Sequence, residues 1–181
     1  MIDSIDVKML QDTKTESFIP FKNGVVTITK NDVTLKSYID VNGYIWENQI
    51  LNRDFVQLDD HNNDFQDFIS KVSNKDTTRT QALESTLGYL LHTYKDKTEQ
   101  KAIIFNDQEI DDNANGGSGK SLMLTAIGYF RNIVTVDGKQ FNSMKNDFVY
   151  QRVNLDTQIL AFDDVKKNFD FEQLFSVVSQ G

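Results

Sequence analysis

The sequence predicts an α/β chain: a parallel-sheet domain preceded by a small α+β region with a β-hairpin and helices. Three observations carry that expectation. Short apolar runs without polar alternation, at Ala102–Phe105, Ile133–Val136 and Gln158–Phe162, have the pattern of parallel strands hidden on both faces. A glycine cluster and a helix-like segment, Leu122–Phe130, separate the first two runs, in the strand–helix–strand order of a parallel crossover. Upstream, β-branched runs flank a turn, which is hairpin chemistry.

Residues 1–17 are polar and read as a lead-in without a specified element. From Phe18 the chain becomes extended, and Val25–Thr29 and Val33–Ile39 flank Asn31-Asp32, predicting a hairpin. Asn42-Gly43 marks a turn before Tyr44-Ile45-Trp46, a short third strand. Helical spacing takes over after it. Phe65, Phe68, Ile69 and Val72 fall at i, i+3, i+4 and i+7, and Leu83, Leu87, Leu90, Leu91 and Tyr94 repeat the stripe with Thr80 as the N-cap. Near Lys101 the composition shifts to continuous apolar runs, so the boundary is set at 97–101, with an accessory region over 18–98 and the parallel-sheet domain over 99–181. Asp137-Gly138 closes the second run, Asp163-Asp164 closes the third, and Phe171–Val178 begins another helix.

Composition narrows the chemistry. With no Cys, the chain has no thiol nucleophile, thiolate metal site or disulfide framework, and this fits a cytoplasmic setting. At 181 residues the chain is long enough to bury a core without such staples. No apolar run reaches the roughly 18 residues of a membrane span, and the N-terminus lacks the basic-then-apolar pattern of a signal peptide. The net charge of −8, spread over both halves, argues against coating nucleic acid, which needs positive surface.

Ala114-Asn115-Gly116-Gly117-Ser118-Gly119-Lys120-Ser121 fits the phosphate-loop pattern G-x-x-x-x-G-K-[ST], with Ala114 in place of the first Gly. The residue types match the chemistry of phosphate binding. Gly116, Gly117 and Gly119 let successive backbone N–H groups face one anion, and the helix beginning there presents its positive end to the same place. Lys120 would neutralise β- and γ-phosphate charge, the Ser121 hydroxyl would ligate Mg2+, and Asn115 to Leu122 would line the nucleotide. The second signal is the acidic pair after Ile159-Leu160-Ala161-Phe162. Asp163 would hold Mg2+ through water and Asp164 would polarise the attacking water, at the strand end where open α/β sheets bind ligands.

NGGSGKSLMLTAI, with VNLDTQILAFDDV downstream of it, resembles the nucleotide-binding core of superfamily 3 helicases, and more closely the primase–helicases of bacteriophages and other mobile elements. Phe18-Ile19-Pro20-Phe21-Lys22-Asn23-Gly24-Val25-Val26 resembles the FxNGV segment that often precedes that core. The resemblance implies an AAA+-like P-loop ATPase that uses ATP and Mg2+, forms a homo-hexameric ring and moves on single-stranded DNA in a bacterial or phage-infected cell. It assigns Lys120 and Ser121 to the phosphate-loop pair, and Asp163 and Asp164 to the acidic pair. It also places the DNA-contacting hairpin, the sensor Asn and the arginine finger beyond Gly181. On that reading residues 99–181 are the first half of an ATPase domain, with an incomplete sheet. The strand that lies between the phosphate-loop strand and the acid-bearing strand would come later still.

Two other functions fit the same residues: a P-loop ATPase that regulates rather than unwinds, and a non-catalytic interaction or oligomerisation module whose P-loop is incomplete. The isolated His61 and His92 lack metal-ligand spacing, and Trp46 with the 13 Phe residues reads as core. Arg152 and Lys166-Lys167 read as a solvated face, and Glu109, Asp111 and Asp112 as an acidic loop rather than metal ligands.

Overall fold

A computed structural model describes residues 7–58, 63–96, 98–99, 101–107, 117–139, 141, 150–175 and 178. Backbone contacts divide the chain into two units, Met1–Asn63 with His92–Tyr94, and Asp64–Leu91 with Lys95–Gly181. The compositional change near Lys101 thus falls inside the second unit, because the two helices before it pack with elements C-terminal to it.

The first unit is built on an antiparallel sheet in the order β1 (Glu16–Phe21), β2 (Gly24–Thr29), β3 (Val33–Lys36). The register runs from Glu16↔Thr29 to Phe21↔Gly24, which leaves Lys22-Asn23 as a two-residue turn. Gly24 has φ 147°, and a Cβ there would collide with the Lys36 carbonyl, so this position requires glycine. Pro20 is accommodated because β1 is an edge strand; its carbonyl accepts the Leu51 N–H at 2.9 Å. Ile19, Phe21, Val25 and Val26 are buried, and Phe55 packs on the Phe21 ring at 5.4 Å. After a 15-residue helix the chain returns to this unit, where His92 Nε2 meets the Thr13 carbonyl at 2.7 Å and its ring stacks on Tyr94.

Two expectations are corrected here. Tyr44-Ile45-Trp46 is not a strand: Tyr44 makes one isolated bridge to Met9, and a 3-10 turn, Glu47–Gln49, comes next. Three residues are too few to bury an alternating face, and Tyr44 and Trp46 stay 62% and 63% exposed, so Trp46 is not core. The third strand is instead β1, which pairs along six positions of β2.

Thr27, in the middle of β2, is 1% exposed, and its hydroxyl has no hydrogen-bond partner among the described residues. Replacing it with the isosteric Val removes a desolvated hydroxyl without opening a cavity. Thr27→Val is expected to stabilise the first unit by about 0.5–1.5 kcal/mol, read as slower amide exchange along β2.

The second unit contains α1 (Asp64–Val72), α2 (Thr77–Leu91) and α3 (Lys120–Gly128), with the parallel pair β4 (Ile133–Asp137) and β5 (Ile159–Asp163). In α1 the stripe predicted from Phe65 to Val72 is helical, with Asp64 and Asp67 in the first turn and Lys71 in the last, as the helix dipole favours. Asn74 and Lys75 then take φ 57°, which stops the helix. Asp76, not Thr80, caps α2. Its carboxylate accepts the Arg79 N–H at 2.8 Å, the N-cap to N3 bond, while Thr80 sits inside the first turn with its hydroxyl donating to the Asp76 carbonyl at 2.9 Å. Ile69, Leu87, Met123 and Ile127 form the buried centre, with Phe68, Val72, Leu83, Leu90, Leu91, Phe105, Ile133 and Ile159 packed around it. One apolar stripe from each helix meets the sheet pair.

The parallel relation of β4 and β5 agrees with the two apolar runs, in the register Ile133↔Ile159 to Asp137↔Asp163. The run Ala102–Phe105 differs: it is not a strand, and Ile104 is 57% exposed. Among the described residues it has no neighbouring strand, and an extended tetrapeptide with its N–H and C=O groups facing solvent gains nothing from sheet geometry. Only Phe105 of this run reaches the core. The described parallel sheet therefore has two strands, and its strand interiors are mostly half-buried rather than hidden on both faces. The expected helix from Phe171 opens as a 3-10 turn, Phe171–Leu174, capped by the Asp170 carboxylate, and Phe175 and Val178 are α-helical. No helix among the described residues is long and apolar enough to cross a membrane.

Candidate functional site

The glycine-rich segment enters α3 through backbone that favours glycine. Gly117 has φ 101° and Gly119 has φ 87°, both left-handed, and Gly119 is the N-cap of the helix that begins at Lys120. The first turn of α3 therefore leaves its N–H groups without side-chain caps, the arrangement that receives an anion. Gly119 also lies against α1. A Cβ there would come within 2.8 Å of Phe68 Cζ, 2.9 Å of Phe68 Cε2 and 3.1 Å of Val72 Cγ2. The loop is thus seated on the apolar stripe of α1. Asn115 and Gly116 lie outside the described residues, as do His61, Glu109, Asp111 and Asp112.

A cleft of about 930 Å3 opens in front of this loop, within the size range of small-molecule sites. Gly117, Ser118 and Lys120 line one part of it, residues 102–107 another, and α1 and α2 contribute Lys71, Val72, Arg79 and Leu83. Among the described residues its charged lining is Lys71, Arg79, Lys120 and Asp107. The motif in the sequence points to Lys120; Lys71 and Arg79 belong to no motif and are recruited only by the packing of α1 and α2.

Lys120 Nζ donates to both Asp107 carboxylate oxygens at 2.6 Å and to Ser118 Oγ at 2.7 Å. Hydrogen bonds from Lys120 and Ser118 hold the Asp107 carboxyl below the usual carboxylate range. Sequence reasoning misses Asp107. The usable signal is an acid close behind an apolar run, the same signal that draws attention to Asp163-Asp164.

Those acids stand elsewhere in the second unit. Asp163 ends β5 beside Asp137, which ends β4, and its carboxylate accepts the Asp164 N–H at 3.0 Å. Asp164 takes φ 55° and pairs with Lys139, a contact that raises the Lys139 pKa mainly through the hydrogen bond. Gly138 makes this corner possible: a Cβ there would fall 2.5 Å from Val165 Cγ1 and 2.8 Å from the Asp163 carbonyl oxygen. Gly117, Ser118 and Lys120 line the cleft, and Ser121, Leu122, Asp163 and Asp164 are not among its lining residues. Leu122 is 55% exposed on α3. Among the described residues no group of three or more His, Cys, Asp or Glu is placed to hold a metal ion.

The donor set fits the phosphate part of a nucleotide: two left-handed glycines, a helix start without a side-chain cap and an ammonium group lining the cleft. For Mg2+ the fit is confined to residue types. Ser121 and Asp163 are oxygen donors of the right kind, held by different elements. No family model matches the chain, and neither a curated protein nor a solved structure matches it.

Proposed function

We propose that this chain is the ATP-binding core of a P-loop ATPase, acting as the motor part of a replicative DNA helicase of the superfamily 3 type. The observation that carries the reading is the convergence of Gly117, Gly119 and Lys120 at the start of α3, with Gly117 and Lys120 lining the cleft. Phosphate oxygens are the ligand that such backbone and such charge serve best. Lys120 neutralises phosphate charge, the N–H groups of the α3 start bind the oxygens, and Ser121 with Asp163 supplies oxygen donors to Mg2+. When bound, the ion offsets phosphate charge. Asp164 orients water once its pairing with Lys139 is exchanged. Single-stranded DNA, a hexameric ring and a bacterial or phage-infected cytoplasm belong to the same proposal, supported by the motif resemblance.

A thermal unfolding comparison tests nucleotide binding. At about 100 times Kd, ATP·Mg2+ is expected to stabilise the second unit by about 2.7 kcal/mol, with adenosine giving less at the same concentration. No shift with ATP·Mg2+ overturns the reading. Stimulation of ATP hydrolysis by single-stranded DNA separates a helicase from a regulatory ATPase. The acidic pair lies off the cleft and Asp164 is engaged by Lys139, which favours a second reading: a nucleotide-binding interaction module without turnover. Binding with no hydrolysis, with or without DNA, selects that one.

A further inference from the structure

We infer that Asp107 is a built-in counter-anion of the phosphate site: its carboxylate sits on Lys120 Nζ where a phosphate would, so a nucleotide must displace it, and Asp107 thereby sets the affinity of the cleft. The inference rests on the phosphate-site reading and adds a regulatory element to it.

Three features of the geometry lead there. The contact is two-pronged, with both Asp107 oxygens at 2.6 Å from Nζ, and Ser118 of the glycine-rich loop closes it at 2.7 Å. The two oxygens of one carboxylate lie too close together to take two separate ammonium protons, so Asp107 and Ser118 engage two of the three donors of Lys120. A phosphate approaching Lys120 meets the Asp107 carboxylate on the same ammonium group and competes with it for that charge. The cleft also confines the exchange, since Asp107, Ser118 and Lys120 all line it. Finally, Asp107 has no packing role that would hold it in place: the pair is open to solvent, with the Lys120 and Asp107 side chains 37% and 42% exposed. A half-exposed ion pair is weak enough to exchange yet close enough to compete. A carboxylate left beside a bound triphosphate would repel it, so release of Lys120 and movement of Asp107 away from the phosphates go together.

Charge explains why a competitor is useful here. Without Asp107, an unopposed Lys120 on this cleft would attract any small anion. A single carboxylate in place lets a ligand of several charges win where a monoanion merely exchanges one charge for another.

The test is a calorimetric titration of the 181-residue chain with three probes: ATP·Mg2+, pyrophosphate and adenosine. Asp107→Asn and Asp107→Ala are expected to bind ATP·Mg2+ and pyrophosphate about three- to tenfold more tightly than the wild type, the scale of one exposed ion pair. Adenosine, which has no phosphate, is expected to bind all three proteins alike. Glu84→Gln, which removes an equal charge at an exposed position of α2, is expected to change nothing. Binding of ATP only by the Asp107 variants supports the inference in its strongest form. If the wild type binds ATP and both Asp107 variants bind it equally or less tightly, the inference fails and the phosphate-site reading stands. An equal gain for adenosine also overturns it, because the substitution would then have reshaped the cleft. Failure of every protein to bind ATP or pyrophosphate overturns both.

Discussion

Gly119→Ala is expected to destabilise the second unit by about 2–5 kcal/mol and to weaken ATP·Mg2+ binding at the same time. Two costs add. The residue is held at φ 87°, and a side chain in left-handed backbone costs about 1–2 kcal/mol. The added methyl group would also sit 2.8 Å from Phe68 Cζ and 3.1 Å from Val72 Cγ2, so α1 must give way, at a further cost of about 1–3 kcal/mol for overpacking. Against a typical domain stability of about 5–15 kcal/mol the loss is large. Denaturant unfolding tracked by far-UV circular dichroism reads it well, because α1, α2 and α3 all belong to the second unit. A double-mutant cycle identifies the mechanism. Phe68→Leu shortens the ring that the methyl meets, so in the Gly119→Ala background it should recover part of the loss, with a coupling of about 1 kcal/mol. Additive effects would mean that the strain is all backbone and that the phosphate loop does not lean on α1.

This seat for the glycine-rich loop explains why the helices before residue 100 belong to the same unit as α3. From composition alone the chain changes character near Lys101, where polar helices give way to continuous apolar runs. That signal sees the strands but not the faces that pack on one another. Ile69 and Leu87 precede the shift, Met123 and Ile127 lie beyond it, and together they make one buried centre. Periodicity locates the stripes Phe68–Val72 and Leu83–Leu91, while Tyr94 lies past the end of α2 and Phe65 stays exposed; which stripes meet is a tertiary fact that no local pattern encodes.

The same limit separates the strands that are legible from the one that is not. Ile133–Val136 and Gln158–Phe162 are β-branched or apolar runs that find each other as parallel neighbours, and each ends in an acid at the register Asp137↔Asp163. Ala102–Phe105 has a similar composition and forms no strand, since a strand exists only with a partner for its backbone. Cap chemistry gives a milder form of this difficulty. Thr80 and Asp76 are both good N-cap types four residues apart, and the cap falls to Asp76 because its carboxylate is placed to take the Arg79 N–H. At the site, the glycines and Lys120 are legible because the motif is local. Asp107, Lys71 and Arg79 are not, because they reach the cleft from three other segments.

Lys120→Ala is expected to leave the fold of the ligand-free chain unchanged and to abolish its stabilisation by ATP·Mg2+, a loss of about 100-fold or more in affinity. The two halves of this prediction come from one observation, the exposure of the Lys120–Asp107 pair. Removing one partner of a buried ion pair strands a charge in a poor solvent, but Asp107 without Lys120 is hydrated and keeps its Ser118 hydrogen bond. Ligand-free unfolding should therefore move little. With nucleotide the balance differs, because two or more charge-assisted hydrogen bonds to phosphate oxygens, at about 1.5–3 kcal/mol each, vanish together. The left-handed glycines and the start of α3 remain, so the affinity that survives measures the share carried by backbone N–H groups. Lys120→Arg sharpens the comparison: it restores charge but replaces a compact ammonium with a planar fork, and it is expected to recover only part of the affinity. Recovery to the wild-type value would mean that the site reads charge alone, whereas undiminished ATP affinity in Lys120→Ala would place the nucleotide away from this loop.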